Sequence, residues 1–88
     1  MSKEVWQAEG AEVEAIVAGR HSDAFAFLGL QQVEGYWVLR TFIPHAETVD
    51  AFTLDGQALG HLIPRHPAGF FEGKVDIQQR QPIRYRAR

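Results

Sequence analysis

The dipeptide Asp55-Gly56 is the feature that most restricts how this chain can fold. It lies between two stretches rich in apolar and β-branched residues, 48–54 and 57–63. Asp-Gly favours the backbone conformation of a tight hairpin turn, because glycine adopts positive φ at little steric cost. The sequence therefore predicts two antiparallel strands joined at this turn.

A further strand is predicted before the hairpin, over residues 36–43. Apolar and polar side chains alternate there with a period of two, which is the spacing of side chains on one face of a strand. We expect the odd-numbered side chains from Trp37 to Ile43 to face the core, and Tyr36 and Arg40 to face solvent. The strand supplies one side of a β-rich core.

Two more strands are predicted towards the C-terminus, over residues 70–75 and 82–87, with residues 64–69 as a loop. Several short strands separated by turn residues are typical of an antiparallel β-sandwich or a small barrel. We expect residues 11–88 to form a single β-sandwich domain and residues 1–10 to be a flexible N-terminus.

One short helix is predicted at the start of this domain, over residues 11–18. Val13, Ile16 and Val17 recur at helical spacing and form one apolar stripe. Gly19 follows, as expected where a helix ends in a residue with positive φ. A helix of this length is marginal alone, so its stripe must pack against the rest of the domain.

The size and composition exclude several classes of protein. The chain has 88 residues and no cysteine, so it has neither disulfides nor a thiolate metal site. It contains no apolar run of about 20 residues, so no membrane span is predicted. The N-terminus lacks the pattern of a secretory signal, and we expect a cytoplasmic location.

The charge is distributed unevenly along the chain. Residues 1–59 carry three basic and nine acidic side chains, whereas residues 60–88 carry six basic and two acidic ones. Arg84, Arg86 and Arg88 alternate with a period of two, so we interpret them as a solvated strand face. The net charge is negative and no nucleic-acid-binding motif accompanies them, so nucleic acid is not expected as a partner.

The polar residues show no pattern typical of catalysis or of metal binding. The four histidines lack the spacing of metal ligands and are expected in exposed loops, so neither a metal nor another cofactor is predicted. Ser22 lies between His21 and Asp23, but side chains of adjacent residues point apart. We interpret this segment as a turn with a local bond from a side chain to the backbone, and assign no catalytic residue.

The aromatic residues suggest two kinds of surface. Flat exposed rings stack on sugars, and Tyr36, Trp37 and Trp6 are the candidates for such contacts. Phe70 and Phe71 are adjacent on a predicted strand, so one of the two is expected to face outwards. An exposed pair of this kind favours a docking surface for another protein or domain over a sugar platform.

Four segments in order resemble the N-terminal region of bacterial glycogen branching enzymes, the 1,4-α-glucan branching enzymes of the α-amylase superfamily. They contain the motifs Asp23-Ala-Phe-Ala-Phe-Leu-Gly29, Ile43-Pro-His-Ala46, Gly69-Phe-Phe-Glu-Gly73 and Tyr85-Arg86. Ala24 stands where the family usually has proline. The resemblance extends over nearly the whole chain, from about Ala11 to Arg86.

The resemblance implies an all-β fold, an immunoglobulin-like antiparallel β-sandwich (E-set type) with a short N-terminal helix. It implies a non-catalytic module, because the catalytic Asp and Glu of the family lie in a later barrel and have no counterpart here. The parent enzyme would form α-1,6 branches by transferring α-1,4-glucan segments. Its other domains, and α-glucan, are the expected partners; an autonomous α-glucan-binding module and a protein-docking domain remain alternatives.

Overall fold

The computed structural model describes residues 5–88, apart from the side chains of residues 25 and 26. The elements in chain order are α1 (Gly10–Val17), α2 (Ala24–Phe27), β1 (Gly29–Val33), β2 (Tyr36–Phe42), β3 (Val49–Phe52), β4 (Ala58–His66), β5 (Phe70–Lys74) and β6 (Arg84–Ala87). The strands pair antiparallel in the order β1-β2-β5-β4-β3-β6. The sheet curls so that its two halves face each other, which confirms the all-β, immunoglobulin-like fold with a short N-terminal helix.

The β3–β4 hairpin forms where the Asp-Gly pair predicts it. The backbone N–H of Thr53 donates to the carbonyl of Gln57 at 2.9 Å and closes the loop. Strand β1, in contrast, is not predicted, because its Gly-Leu-Gln-Gln-Val sequence lacks apolar alternation. It is joined to β2 by Glu34 and Gly35, which both have positive φ, as a type I′ hairpin turn requires.

Strand β4 continues further than the sequence predicts. The segment 64–69 was expected to be a loop, but β4 runs through Pro64 to His66 and only then turns. Proline has no N–H to donate to a neighbouring strand, so it is found at sheet edges and bulges rather than inside a fully paired strand. The pairing of β4 with β3 ends at Leu62, so Pro64 lies where β4 has a single neighbour, and a register shift follows it.

Helix α1 forms close to its predicted position and ends as predicted. The N–H of Gly19, at φ 70°, donates to the carbonyl of Ile16 at 3.1 Å, and the N–H of Arg20 donates to that of Ala15 at 2.7 Å. These two bonds form a Schellman motif, which satisfies carbonyls that the helix end would leave unpaired.

Two clusters of buried side chains lie on opposite faces of the β2–β5 part of the sheet. The inner cluster, between the halves of the sandwich, consists of Leu39, Val49, Ala51, Leu62, Phe71 and Val75. The outer cluster, under α1 and α2, consists of Ala8, Val13, Ile16, Phe27 and Phe70. The helix therefore covers a sheet face that alternation alone assigns to solvent.

Because the outer cluster covers the second face of β2, the prediction that this face is exposed to solvent is wrong. Leu39 and Thr41 lie on the inner face as expected, but Arg40 is buried rather than exposed. Residues 1–4 of the predicted flexible N-terminus lie outside the described residues. In the remainder of that segment, Trp6 and Ala8 are buried on the outer face.

Candidate functional site

The three aromatic candidates for sugar contact do not form one surface. Tyr36 lies on the outer face, 42% exposed, and the Nζ atom of Lys74 is 4.9 Å from its ring centroid. The same Nζ is 5.9 Å from the ring of Trp6, which is only 5% exposed. Trp37 points to the inner face, half-buried against the inner cluster and covered by Arg80. Tyr36 and Trp6 thus share one cation, and Trp37 is separate.

The expected exposure of Phe70 or Phe71 is wrong. The two rings do point to opposite faces of β5, as the strand geometry requires, but both faces are covered. Phe70 belongs to the outer cluster and stacks on Phe27 at 5.7 Å between centroids, while Phe71 belongs to the inner cluster. The pair contributes to the core and offers no apolar surface for docking.

A buried carboxylate organises the outer face. The Glu72 side chain is fully buried, and its Oε2 accepts bonds of 2.8 Å from the Nε of Arg40 and from the backbone N–H of Ala8. Its Oε1 accepts from Arg65. Arg40 also donates to the carbonyl of Trp6 at 3.2 Å. Every polar contact of this group is internal, so it fastens residues 6–8 to the sheet.

One feature of the sequence indicates this buried carboxylate, although the alternation argument does not use it. Glu72 is the one charged residue inside the otherwise apolar run Phe70–Gly73, and it faces Arg40 directly in the β2–β5 register. A carboxylate within a buried strand needs a charged partner, because burial without one is costly. What the sequence does not show is which arginines provide the charge.

The histidines are spread over the domain and do not converge. His21 accepts a bond of 3.0 Å from the N–H of Asp23, which confirms the predicted local turn. The expectation of four exposed loop histidines is wrong for three of them. His61 is exposed but lies on strand β4, where its Nδ1 is 2.6 Å from a carboxylate oxygen of Asp50. The other two are His21 and His66. Both are partly buried and contact glutamates of α1, at 3.4 and 3.3 Å. In the described part of the chain, no three His, Cys, Asp or Glu side chains lie close enough together to hold a metal ion.

A polar cleft lies at the end of the sandwich next to the β3–β4 hairpin. It is a cleft of about 300 Å³, open to solvent, between the hairpin and the connection from β5 to β6. Its walls carry Thr53, Gln57, Asp76, Gln78, Gln79 and Gln81, and its apolar residues are Ala58, Leu59 and Ile77. We refer to it as the glutamine cleft. A smaller cleft of about 180 Å³, which contains Phe52 and Tyr85, adjoins it at Thr53.

The hairpin turn beside the glutamine cleft carries the one pKa shift that is resolved among the described residues. The hydroxyl of Thr53 donates to the carboxylate of Asp55, and this bond lowers the pKa of Asp55. The same hydroxyl oxygen accepts a bond of 2.9 Å from the N–H of Gln57. The hydroxyl of Thr53 therefore links Asp55 and Gln57 and stabilises the conformation of the turn.

The fold and these surfaces define a small immunoglobulin-like β-sandwich with a covering helix. The model of the family described as "alpha-1,4-glucan branching enzyme GlgB, N-terminal domain" matches residues 9–88. The chain belongs to this family of N-terminal domains, which confirms the resemblance found in the sequence.

Curated relatives support the same assignment. Over 80 residues the chain is 54% identical to the 1,4-alpha-glucan branching enzyme GlgB of Mesorhizobium japonicum, a match that covers 91% of this chain and 11% of the relative. The GlgB of Agrobacterium fabrum is 51% identical over 77 residues, or 88% of this chain and 10% of the relative. That of Rubrobacter xylanophilus is 42% identical over 72 residues, with coverage of 82% and 10%.

The chain thus spans about a tenth of the length of these relatives. No solved structure matches it. None of the helices in residues 5–88 is long and apolar enough to cross a membrane.

Proposed function

We propose that this domain is a non-catalytic N-terminal module of a 1,4-α-glucan branching enzyme. That enzyme would cleave an α-1,4 bond in a glucan and join the released segment to a 6-hydroxyl, which forms an α-1,6 branch. The module would pack on the rest of the enzyme and help to position the glucan chains. The observation that carries the proposal is the match itself, with 54% identity over a region that makes up only 11% of a relative named as this enzyme.

The fully buried carboxylate of the outer face has a structural role rather than a catalytic one. The buried carboxylate of Glu72 is fully engaged by Arg40, Arg65 and the backbone of residue 8, so it is not available as an acid or a nucleophile. General acid–base chemistry needs a titratable group within reach of substrate, and this group has no access to solvent. A role in positioning needs only surfaces, which the exposed Tyr36 and the glutamine cleft provide.

The experiment compares the branching enzyme that carries this module with the same enzyme lacking residues 1–88. We expect the shortened enzyme to keep branching activity and to transfer segments with a changed length distribution, measured by debranching the product and separating the chains. Loss of all activity from a shortened enzyme that is still folded would contradict a non-catalytic role. An unchanged distribution together with unchanged glucan affinity would contradict positioning.

The isolated 88-residue chain provides a second test. We expect it to form no α-1,6 branches when it is incubated with amylose, as followed by the iodine colour and by debranching. Branch formation by the chain alone would overturn the proposal. The full-length enzyme is the positive control.

A further inference from the structure

We propose that the glutamine cleft binds a short segment of neutral polysaccharide through hydroxyl–amide hydrogen bonds. This inference rests on the proposed function, since it assigns a location to the glucan contacts of the module. The location differs from the aromatic surface that the sequence suggests, because none of Trp6, Tyr36 and Trp37 lines the cleft.

The walls of the glutamine cleft are held in place by two backbone hydrogen bonds and one bond from an arginine side chain. The N–H of Asp76 donates to the carbonyl of Leu59 at 3.2 Å, which joins the two walls. The connection that forms the second wall is anchored at Val75 and at Arg80, on either side of residues 76–79. The backbone N–H of Val75 donates to the carbonyl of Trp37 at 3.0 Å, and the exposed guanidinium of Arg80 donates to the carbonyl of Leu30 at 2.9 Å. The cleft is therefore preformed, which lowers the entropic cost of binding.

Its lining matches the chemistry of a sugar. Each glutamine amide has two donors and one acceptor oxygen, the complement of hydroxyl groups that both donate and accept. Gln57, Gln78 and Gln79 are exposed and Gln81 is half-buried, and these four amides make no hydrogen bond with other described residues. Leu59 and Ile77 are half-buried in the same cleft and offer apolar surface to the C–H face of a sugar ring.

The charge of the lining argues against other classes of ligand. Asp76 is the one charged residue among those that line the cleft, and no lysine or arginine does so. A polyanion such as a nucleic acid would meet a carboxylate without any compensating cation. Glutamine oxygens can ligate a hard divalent cation, but the single carboxylate of Asp76 would leave half of its charge without a counter-charge in the cleft. The volume of this open cleft, about 300 Å³, lies at the lower end of the range of small-ligand sites, as expected for one or two sugar units.

The test is a titration of the ¹⁵N-labelled 88-residue chain with maltoheptaose. We expect amide shifts concentrated in residues 53–59 and 76–81. We also expect the double variant Gln78→Ala/Gln79→Ala to bind the sugar at least about fivefold more weakly, because it loses one or more neutral hydrogen bonds. Gln32→Ala is the matched control, because Gln32 is an exposed glutamine on β1, outside the cleft. Its affinity should equal that of the unaltered chain.

The outcomes separate this inference from the proposed function. Shifts confined to the surface around Tyr36 and Lys74 would overturn the cleft as the site and leave glucan positioning intact. No binding at about 10 mM sugar would overturn the cleft, whereas the module's role is judged independently by the truncated enzyme. Because the altered glutamines are exposed, retention of the native amide spectrum shows that the variants are folded.

Discussion

The two faces of the β2–β5 pair are buried by different kinds of contact. The inner face is mainly apolar, with Leu39 and Phe71 packed against Leu62 and Val49 of the opposite half, and Thr41 is its buried polar side chain. The outer face buries the carboxylate of Glu72 among arginines, next to the ring of Phe70. The guanidinium of Arg40 also lies 4.7 Å from the ring centroid of Phe27.

The comparison shows that the two layers have different requirements. Apolar packing on the inner face is non-directional and tolerates exchange of residues with similar volume. On the outer face, the charges must all be paired, because an isolated buried charge costs several kcal/mol. The outer layer therefore depends on particular partners, which include the backbone of residues 6–8.

Removal of the buried carboxylate should have the largest effect. We expect Glu72→Ala to lower the free energy of unfolding by about 3–5 kcal/mol, since Arg40 would remain buried without a counter-ion. Urea unfolding followed by tryptophan fluorescence measures it. The double variant Arg40→Met/Glu72→Leu is the control and should recover part of the loss, because it removes the buried charge of Arg40 together with its counter-ion. The N–H of Ala8 still loses its acceptor in this variant. A cost below about 1 kcal/mol for Glu72→Ala would show that charge pairing does not hold the outer layer.

Truncation of an inner side chain should cost somewhat less. Leu62 is 0% exposed and lies at the centre of the inner cluster, so we expect Leu62→Ala to lower the free energy of unfolding by about 2–5 kcal/mol through lost burial and a cavity. Leu54→Ala is the matched control, since Leu54 is 59% exposed. The same urea experiment should find it within about 0.5 kcal/mol of the unaltered chain. Equal effects at the two leucines would contradict the assigned inner core.

The smallest expected effect lies outside both layers, in the β3–β4 turn. The bond from Thr53 lowers the pKa of Asp55 in the folded state. The ionised Asp55 carboxylate therefore stabilises the fold at pH values above the pKa that Asp55 has in the unfolded chain. That contribution is lost as the pH falls through the lower, folded-state pKa. Thr53→Val should raise the pKa of Asp55 towards its ordinary value, as measured by NMR titration of the carboxyl carbon. An unchanged pKa would show that the threonine hydroxyl is not its cause.

Much of the fold could be predicted from local patterns. The Asp55-Gly56 turn, the alternation that begins at Tyr36 and the glycine stop at Gly19 each correspond to an element or boundary in the structure. These signals are strong because turn chemistry and side-chain period act over a few neighbouring residues. The resemblance to branching enzymes rests on motifs of the same kind and is confirmed by the family match.

The candidate sites were less predictable. The expectation for Phe70 and Phe71 failed because strand geometry determines which way a ring points but not what covers it. The glutamine cleft has only a weak signal, three glutamines in the segment 78–81. Their approach to Leu59 and Gln57 depends on how the β5–β6 connection crosses the end of the sandwich. The sugar contacts predicted for Trp6, Tyr36 and Trp37 stay predictions.

By itself, the sequence determined the strands that alternate, the hairpin, the helix with its stop and the family. The tertiary structure decided which sheet faces are covered and which charges meet. Burial of Arg40 and Glu72 follows from the docking of α1 and of residues 6–8, contacts that bridge more than 30 residues of chain. The physical reason is that backbone conformation is largely a local property. The environment of a side chain, in contrast, depends on every element packed around it.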